Sequence, residues 1–425
     1  MDWKLFIKIQ NQGLMGGARM KKYLKILVVL IITVIMIGTH NIRTSFASQT
    51  MPEYVIKKIS GDEKELQDLI IYGEYNVGNI YHSFKILNGK TINLNHESII
   101  RKITELPSQF EMIMEEHKNF LRKKVLIPEN FFEDKTWLAY AEYQLENSFN
   151  GMTNRNEFLI EVLNKETDET VAFEVAIPDS ENYYVININD VQLMNGRLKV
   201  LTNNYRGDGS EEAHLYVFDI KEKKLIRDNV ILKNSEEIEN GKWTSFSINN
   251  NSPSLKPSEY ALILLQSVQE EMNENTKEVE TKILASEFYV YNFEKEVLEK
   301  VNTGEQGVVE KASLHNSTLF LQNQIDSRLE VVPYDIETGT WHEKLLFNVP
   351  QTSGNTDNDH IHTDPFITVL NGKIYIIHAI DDGYSIFIGD LSNGQSLYEG
   401  KIVAKNKKIN RHDDKTYFRL IESKS

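Results

Sequence analysis

The chain of 425 residues contains no cysteine. That absence removes disulfides, thiolate zinc sites, thiol nucleophiles and lipid attachment through a lipobox cysteine together. The fold must stand on its core alone. An exported chain of this size without cysteine fits a bacterial surface better than a eukaryotic secretory route, where disulfides are common. Bases are also scarce, with 47 Lys and Arg against 62 Asp and Glu. Seven of those bases, but only one acid (Asp2), precede Ser48, so the remainder holds 40 bases and 61 acids, a net charge of -21. Clustered Lys and Arg are what bind phosphates, so a body this acidic repels nucleic acid and anionic head groups. Nucleic acid is not expected as a partner.

Recognised catalytic spacings are missing too. The sequence has no G-x-S-x-G elbow and no phosphate loop. His96-Glu97-Ser98-Ile99-Ile100 begins like a zincin helix but lacks the second histidine of the metal pair. No catalytic residue and no cofactor-binding residue is therefore assigned.

An apolar run long enough to span a bilayer, roughly 20 residues, is lacking as well. What is present is shorter. Lys21, Lys22 and Lys25 precede an apolar run from Ile26 to Ile32, which resumes after Thr33 through Val34-Ile35-Met36-Ile37. That is the cationic and apolar order of a signal peptide. Ser45-Phe46-Ala47 supplies the small residues that signal peptidase reads, placing the cut after Ala47. Residues 1–19 have mixed composition and read as a mis-assigned upstream start, with Met20 as the true one. The expected organisation is 1–19 upstream segment, 20–47 signal peptide and 48–425 extracytoplasmic domain. The product is secreted or at the cell surface, touching the membrane only if the N-terminal segment stays uncleaved.

From Val55 onward, short runs rich in Val, Ile, Tyr, Phe and Leu alternate with turns of Asn, Asp, Gly and Lys. This predicts an all-β protein. One helical stretch is expected within Glu97 to Lys124, interrupted by Pro107. The acid-rich segment from Gln269 to Lys282 is expected to be a solvated loop or a long hairpin.

A weak internal repeat organises the body. Leu370-Asn371-Gly372-Lys373 turns into Ile374-Tyr375-Ile376-Ile377, then a second run ends at Asp390 before Ser392-Asn393-Gly394. His315-Asn316-Ser317, Thr318-Leu319-Phe320-Leu321 and a run ending at Asp335 before Glu337-Thr338-Gly339 match it 55 residues earlier. Asn195-Gly196 and the run ending at Asp219 form a third copy. Partial copies occur at Phe288–Asn292 and Phe158–Val162. A meander of three or four strands cannot bury both faces alone, so such copies must pack on one another. A period in the range of 40 to 55 residues with several strands per copy points to a β-propeller, and 378 residues after Ala47 allow about six to eight blades. Tyr334-Asp335-Ile336-Glu337-Thr338-Gly339-Thr340-Trp341 resembles the strand-turn-strand hairpin of exported bacterial kelch-like propeller blades, without their paired glycines. The resemblance implies a propeller-like fold with one or two short helical insertions. The alternative architecture is a β-sandwich pair with a small N-terminal domain.

Asp357-Asn358-Asp359-His360-Ile361-His362-Thr363-Asp364 is the one stretch dense in potential ligands. In an extended segment His360 and His362 point the same way, and Asp357, Asp359 and Asp364 supply carboxylates for a divalent metal. The competing reading is a polar inter-blade loop between Gly354 and Pro365. Arg206-Gly207-Asp208 matches an adhesion tripeptide and reads as a turn. Tyr183, Tyr184, Tyr289 and Tyr375 read as core residues rather than a ligand platform.

Two function classes follow. In the first, the body is a non-catalytic binding or scaffold protein of the cell envelope, holding a protein, glycan or cell-wall ligand. In the second it is a secreted propeller hydrolase or lyase with a site in the central funnel. Fold alone does not choose between them. The export reading predicts that N-terminal sequencing of protein from culture medium starts at Ser48. Recovery only in membranes, with Lys21 still attached, contradicts cleavage.

Overall fold

The computed structural model describes residues 28, 30–33, 36, 51–77, 80–94, 108–145, 156–234, 242–249, 255–272, 279–304, 309, 311–325, 328–348, 365–380, 382–405 and 414–423. No helix among them is long and apolar enough to cross a membrane. The chain opens with β1 (Tyr54–Gly61), a 3-10 turn at Glu63–Leu66, β2 (Leu69–Val77), β3 (Ile80–Leu87) and β4 (Lys90–Asn93). Two helices follow, α1 (Ser108–Glu116) and α2 (Lys118–Leu121). The expected single helix is thus a short helical pair; the stretch from Glu97 to Pro107 lies outside the described residues.

Every later element in the described chain is a strand or a 3-10 turn. The second unit is β5 (Phe131–Glu133), β6 (Trp137–Leu145), β7 (Asn156–Asn164) and β8 (Glu169–Ala176). The third is β9 (Tyr183–Met194), β10 (Arg197–Arg206), β11 (Glu211–Asp219) and β12 (Lys224–Asn234). The fourth is β13 (Lys242–Asn249), β14 (Tyr260–Met272), β15 (Val279–Asn292) and β16 (Val297–Val301). Gln269 to Lys282 accordingly belongs to the long β14–β15 hairpin. The fifth is β17 (Lys311–His315), β18 (Thr318–Ile325), β19 (Arg328–Asp335), β20 (Thr340–Trp341) and β21 (Leu345–Asn348), and the sixth is β22 (Phe366–Leu370), β23 (Lys373–Ile380), β24 (Gly383–Asp390) and β25 (Ser396–Ala404). The last strand, β26 (Asp414–Ser423), pairs with β2 and completes the first unit in the order β26-β2-β3-β4. Strand β1 pairs along β25 and meets β4 at Val55–Lys90, joining the first and sixth units into one nine-stranded sheet.

The physical reason for this order lies in two-sided burial. Within β10 and β11, seven consecutive residues are buried, and β23 buries five in a row. Successive side chains point to opposite faces, so a run buried without alternation needs apolar neighbours on both sides. Leu198, Val200, Tyr216 and Phe218 pack on Phe158 and Ile160 of the second unit. Leu201, Leu215 and Val217 pack the other way, on Ala261 and Ile263 of the fourth. The same division recurs further on. Leu262 and Leu264 meet Leu319 and Leu321; Phe320 and Val331 meet Ile374 and Ile376; Tyr375 and Ile377 meet Tyr54, Phe84 and Ile421. Each fully buried side chain of this kind contributes about 1.5–3 kcal/mol. First strands of successive units lie side by side, β5 on β9, β17 on β22 and β22 on β26. The molecule is all-β and propeller-like. On the far face of the second unit, Phe110, Ile113, Phe120 and Leu121 of α1 and α2 cover Phe131, Leu138 and Tyr140 together with Leu255.

The sequence repeat maps onto equivalent strands. Asp219, Asp335 and Asp390 each end the third strand of a unit, and the partial copies at Phe158–Val162 and Phe288–Asn292 lie in the third strands β7 and β15. The residue after each aspartate donates its backbone N–H to the turn between the first two strands: Ile220 to Gly196, Ile336 to Ser317 and Leu391 to Gly372. Those turns use left-handed backbone at Asn195 (φ 53°), Asn316 (52°) and Asn371 (52°), as tight hairpins with right-handed strand twist require. Tyr334 and Trp341 of the kelch-like hairpin pack with ring centroids 4.6 Å apart.

Each terminal aspartate also accepts from its own turn. Asp335 takes the backbone N–H of Thr338 at 2.7 Å and Asp390 that of Ser392 at 2.8 Å. Hydrogen bonds from Thr338 to Asp335, and from Ser392 to Asp390, hold both carboxyls below the usual carboxylate range. A depressed folded value contributes stability above the unfolded pKa of about 3.9 that is lost as pH falls through the folded value. Lowering pH from about 5 to about 2 should therefore reduce the urea midpoint, and reduce it less in the D335N/D390N double variant. The amides keep the turn, as Asn292 does with Lys295 at 2.7 Å. Identical pH profiles contradict the assignment.

Candidate functional site

Apolar packing between the second and third units stops short of one end. There, at the β10–β11 hairpin, the inward positions become polar: Thr202, Asn204, Glu212 and His214 are all buried. Buried polar groups need partners, and these find them across four strands. Glu212 at the start of β11 is the centre. Its carboxylate accepts from Tyr183 Oη at 2.9 Å and from Arg206 at 3.2 Å, and lies 3.3 Å from Lys233 Nζ. Arg206 also lies over the Tyr183 ring at 5.3 Å. Burial, then the Glu212 carboxylate, pushes the Tyr183 phenol up to about 12.

His214 stands two residues along the same face. Its Nε2 contacts Asp228 Oδ1 on β12, and a carboxylate oxygen accepts, so Nε2 carries the proton. Its Nδ1 lies 3.9 Å from Glu212 Oε2, beyond hydrogen-bond reach. The imidazole stacks on Tyr216 with centroids 4.4 Å apart and planes 4° from parallel. Asn204 donates to Tyr216 Oη at 2.8 Å and accepts from Thr202 Oγ1 at 2.6 Å. Rings continue the contact into the second unit, where Phe158 lies 4.8 Å from Tyr216 and 6.5 Å from Tyr143.

Four polar atoms along this ladder have no hydrogen-bond partner among the described residues: Tyr143 Oη, Asn156 Oδ1, Arg206 Nε and His214 Nδ1. Burial pushes the Tyr143 phenol up. Asn156 uses its amide N–H on Ser180 O at 3.1 Å, in the connection to β9, leaving its carbonyl oxygen uncommitted. The seam therefore combines a fixed charged centre, a wall of rings and uncommitted polar atoms. Asn156 Oδ1 and His214 Nδ1 can each accept one further hydrogen bond. The Asp228–His214 pair has the order of a general base and its orienting carboxylate, but among the described residues no serine or threonine hydroxyl is bonded to the free ring nitrogen.

The residues singled out from sequence fall differently. Asp357, Asp359, His360, His362 and Asp364 lie outside the described residues, as does His96. Among the described residues no group of three or more His, Asp or Glu is placed to hold a metal ion. Arg206-Gly207-Asp208 is a turn: Arg206 N–H donates to Ser210 O at 2.9 Å, and Asp208 accepts from Ser210 N–H and Oγ at 3.0 and 2.6 Å. Tyr183 and Tyr375 are core residues as expected and Tyr289 is half-buried. Tyr184 is not core; it is 58% exposed beside Tyr205, with centroids 6.0 Å apart.

No family model matches the chain, and no curated protein matches it. Among solved structures it is similar to apo AztD from Citrobacter koseri (11% identity, TM-score 0.30, covering 86% of this chain and 98% of that one). It is also similar to the β-propeller domain of the trilobed protease from Pyrococcus furiosus (12% identity, TM-score 0.25, 84% and 86%). TolB from Acinetobacter baumannii matches at 10% identity and TM-score 0.21, covering 65% and 82%. At such scores the likenesses carry no functional argument, and the fold stands on strand order and packing.

Glu212→Ala removes the acceptor shared by Tyr183, Arg206 and Lys233 and should cost about 1–3 kcal/mol in urea unfolding. Asp208→Ala, at the exposed hairpin tip, should leave the midpoint nearly unchanged. Equal effects would mean that the buried carboxylate does not organise the seam.

Proposed function

We propose that the protein is an exported, non-catalytic binding or scaffold protein of the bacterial cell envelope, and that it holds its ligand at the seam between the second and third units. The observation that carries this reading is the set of buried atoms, Tyr143 Oη, Asn156 Oδ1 and His214 Nδ1, without a hydrogen-bond partner among the described residues. Unpaired buried polar atoms are costly, and supplying a partner recovers that cost as binding energy. With Arg206 Nε, also unpartnered there, two of the four are acceptors, one is a donor and the phenol is either, so the ligand presents N–H or O–H groups together with an oxygen acceptor. The charged side chains nearby, Glu212, Asp208 and Asp228 with Arg206, Lys233 and His214, are all in contact with one another within the protein, which favours an uncharged ligand such as a glycan or wall saccharide. Export rests on Lys21 to Ala47, and the surplus of acid argues against nucleic acid. A divalent metal at Asp357 to Asp364 remains a separate proposal.

The second reading, a secreted hydrolase or lyase, has the Asp228–His214 pair in its favour. Thermal unfolding of residues 48–425 with soluble peptidoglycan fragments and N-acetylglucosamine oligosaccharides separates the two. Binding raises the midpoint with ligand concentration. Tyr143→Phe and His214→Ala should abolish that rise, and no product should form. Turnover of glycosidase, esterase or peptidase substrates that disappears in folded His214→Ala protein supports the enzyme. Unchanged binding in both variants moves the site elsewhere.

A further inference from the structure

The third unit has a second polar end, on the face opposite Glu212. Asn203 and Tyr205 alternate with Asn204 and Arg206 along β10, so they point toward the fourth unit. Asn203 pairs with Ala213, which shares a core with Ala261 and Ile263, and Tyr205 pairs with Glu211. One row beyond that core the face becomes an aromatic corner. The pairing of β9 with β10 shifts between Tyr205, opposite Val185, and Arg206, opposite Tyr183, which leaves Tyr184 as the extra residue of a bulge. Bulges re-aim side chains. Tyr184 is 58% exposed, and its ring lies 6.0 Å from that of Tyr205 at an angle of 53°.

Behind the corner sits a buried amide. Asn203 is 5% exposed, and its Nδ2 donates to Tyr205 Oη at 3.1 Å and to Glu211 Oε2 at 3.3 Å. A carboxylate only accepts, so the nitrogen is the atom turned to β11 and Oδ1 turns toward β9. That oxygen has no hydrogen-bond partner among the described residues. On β9 the neighbouring Tyr184, Val185 and Asn187 are exposed, so this side meets solvent. Burial, then Glu211 and Tyr184, push the Tyr205 phenol up, so it stays neutral. Of Tyr184, Asn203, Tyr205 and Glu211, the last alone carries a formal charge. The cations of the same strands at this end, Arg206 and Lys233, lie on the opposite face with Glu212. Lys242, which opens β13 of the fourth unit, is exposed and makes no ion pair with a described residue.

We propose that this corner binds a primary alkylammonium group, with the cation over the Tyr184 ring, one N–H on Asn203 Oδ1 and the Glu211 carboxylate as counter-charge. Tyrosine faces attract cations, and a carboxylate beside them adds to the attraction. The unpartnered carbonyl oxygen favours a cation that carries N–H over one that does not. A net charge of -15 on the chain steers cations toward the protein. The corner faces the fourth unit, away from the seam between the second and third units, and does not depend on the saccharide reading of that seam.

Titration of the purified protein with n-butylammonium chloride, followed through the ring resonances of isotope-labelled tyrosine, tests the proposal. Saturable shifts are expected at Tyr184 and Tyr205. Butyltrimethylammonium keeps the charge but has no N–H and should bind at least tenfold more weakly; n-butanol has no charge and should not saturate. Read at Tyr205, Tyr184→Ala and Glu211→Gln should each weaken the ammonium at least fivefold, with an unchanged unfolding midpoint showing that the fold survives. Equal affinity for the trimethyl compound or for butanol, unchanged affinity in either variant, or no saturation at millimolar ammonium overturns the proposal.

Discussion

Everything in this molecule follows from the need of each small sheet to bury two faces. A four-stranded meander buries one face at most by itself, and the strands β10, β11, β14 and β23 carry apolar side chains on both. Stacking in chain order solves this for the interior units but leaves the first and last with an open face. The chain meets that demand by bringing its ends together. Strand β26 supplies the first strand of the unit built from β2, β3 and β4, and β1 returns the favour at β25. Tyr54, Phe84, Tyr398 and Ile421, drawn from both ends of the sequence, then share one core.

The largest polar network described above gathers where that packing ends. Between the second and third units the inward rows change from Val200, Tyr216 and Phe218 to Thr202, Asn204, Glu212 and His214 within one or two residues. Elsewhere on the third unit, buried Lys199 reaches Phe293 O and Glu296 Oε1, and the exposed Arg227 contacts the same carboxylate, so the third and fourth units are tied by an ion cluster with a buried lysine. Lys199 titrates below the usual lysine range because of burial and then its neighbours Arg227 and Arg197. Its partners are all satisfied within the protein. The hairpin end is the reverse: its charges are matched, yet several hydrogen-bonding atoms are not. Cohesion and recognition thus occupy different places along the same sheets.

Much of the fold was legible because local chemistry marks it repeatedly. Asn-Gly and Asn-Ser need left-handed backbone, and an aspartate at a strand end accepts from the next turn, so Asn316, Asn371, Asp335 and Asp390 keep one register in sequence and in space. The helical pair was harder to read, since apolar periodicity across Pro107 does not show where one helix breaks and another begins. Tyr184 shows the limit of residue type: an aromatic in a strand is core on one face and surface on the other. The seam was missed for a different reason. Tyr183, Arg206, Glu212, His214, Asp228 and Lys233 come from four strands, and only pairing brings them together. The available signal was Thr202-Asn203-Asn204 and Glu211-Glu212-Ala213-His214, polar runs inside strands whose other positions are apolar. His360 and His362 drew attention because they are two residues apart in sequence.

Closure by β26 is the claim on which the rest depends, and amide hydrogen exchange of the native protein tests it directly. Residues Thr416 to Ile421 pair with Tyr75 to Ile71 and lie against the first core. Exchange from peptides covering 414–423 should be as slow as from those covering β2, because both open only when the ring opens. Rapid exchange in β26 while β2 stays protected would mean that the last strand does not complete the first unit.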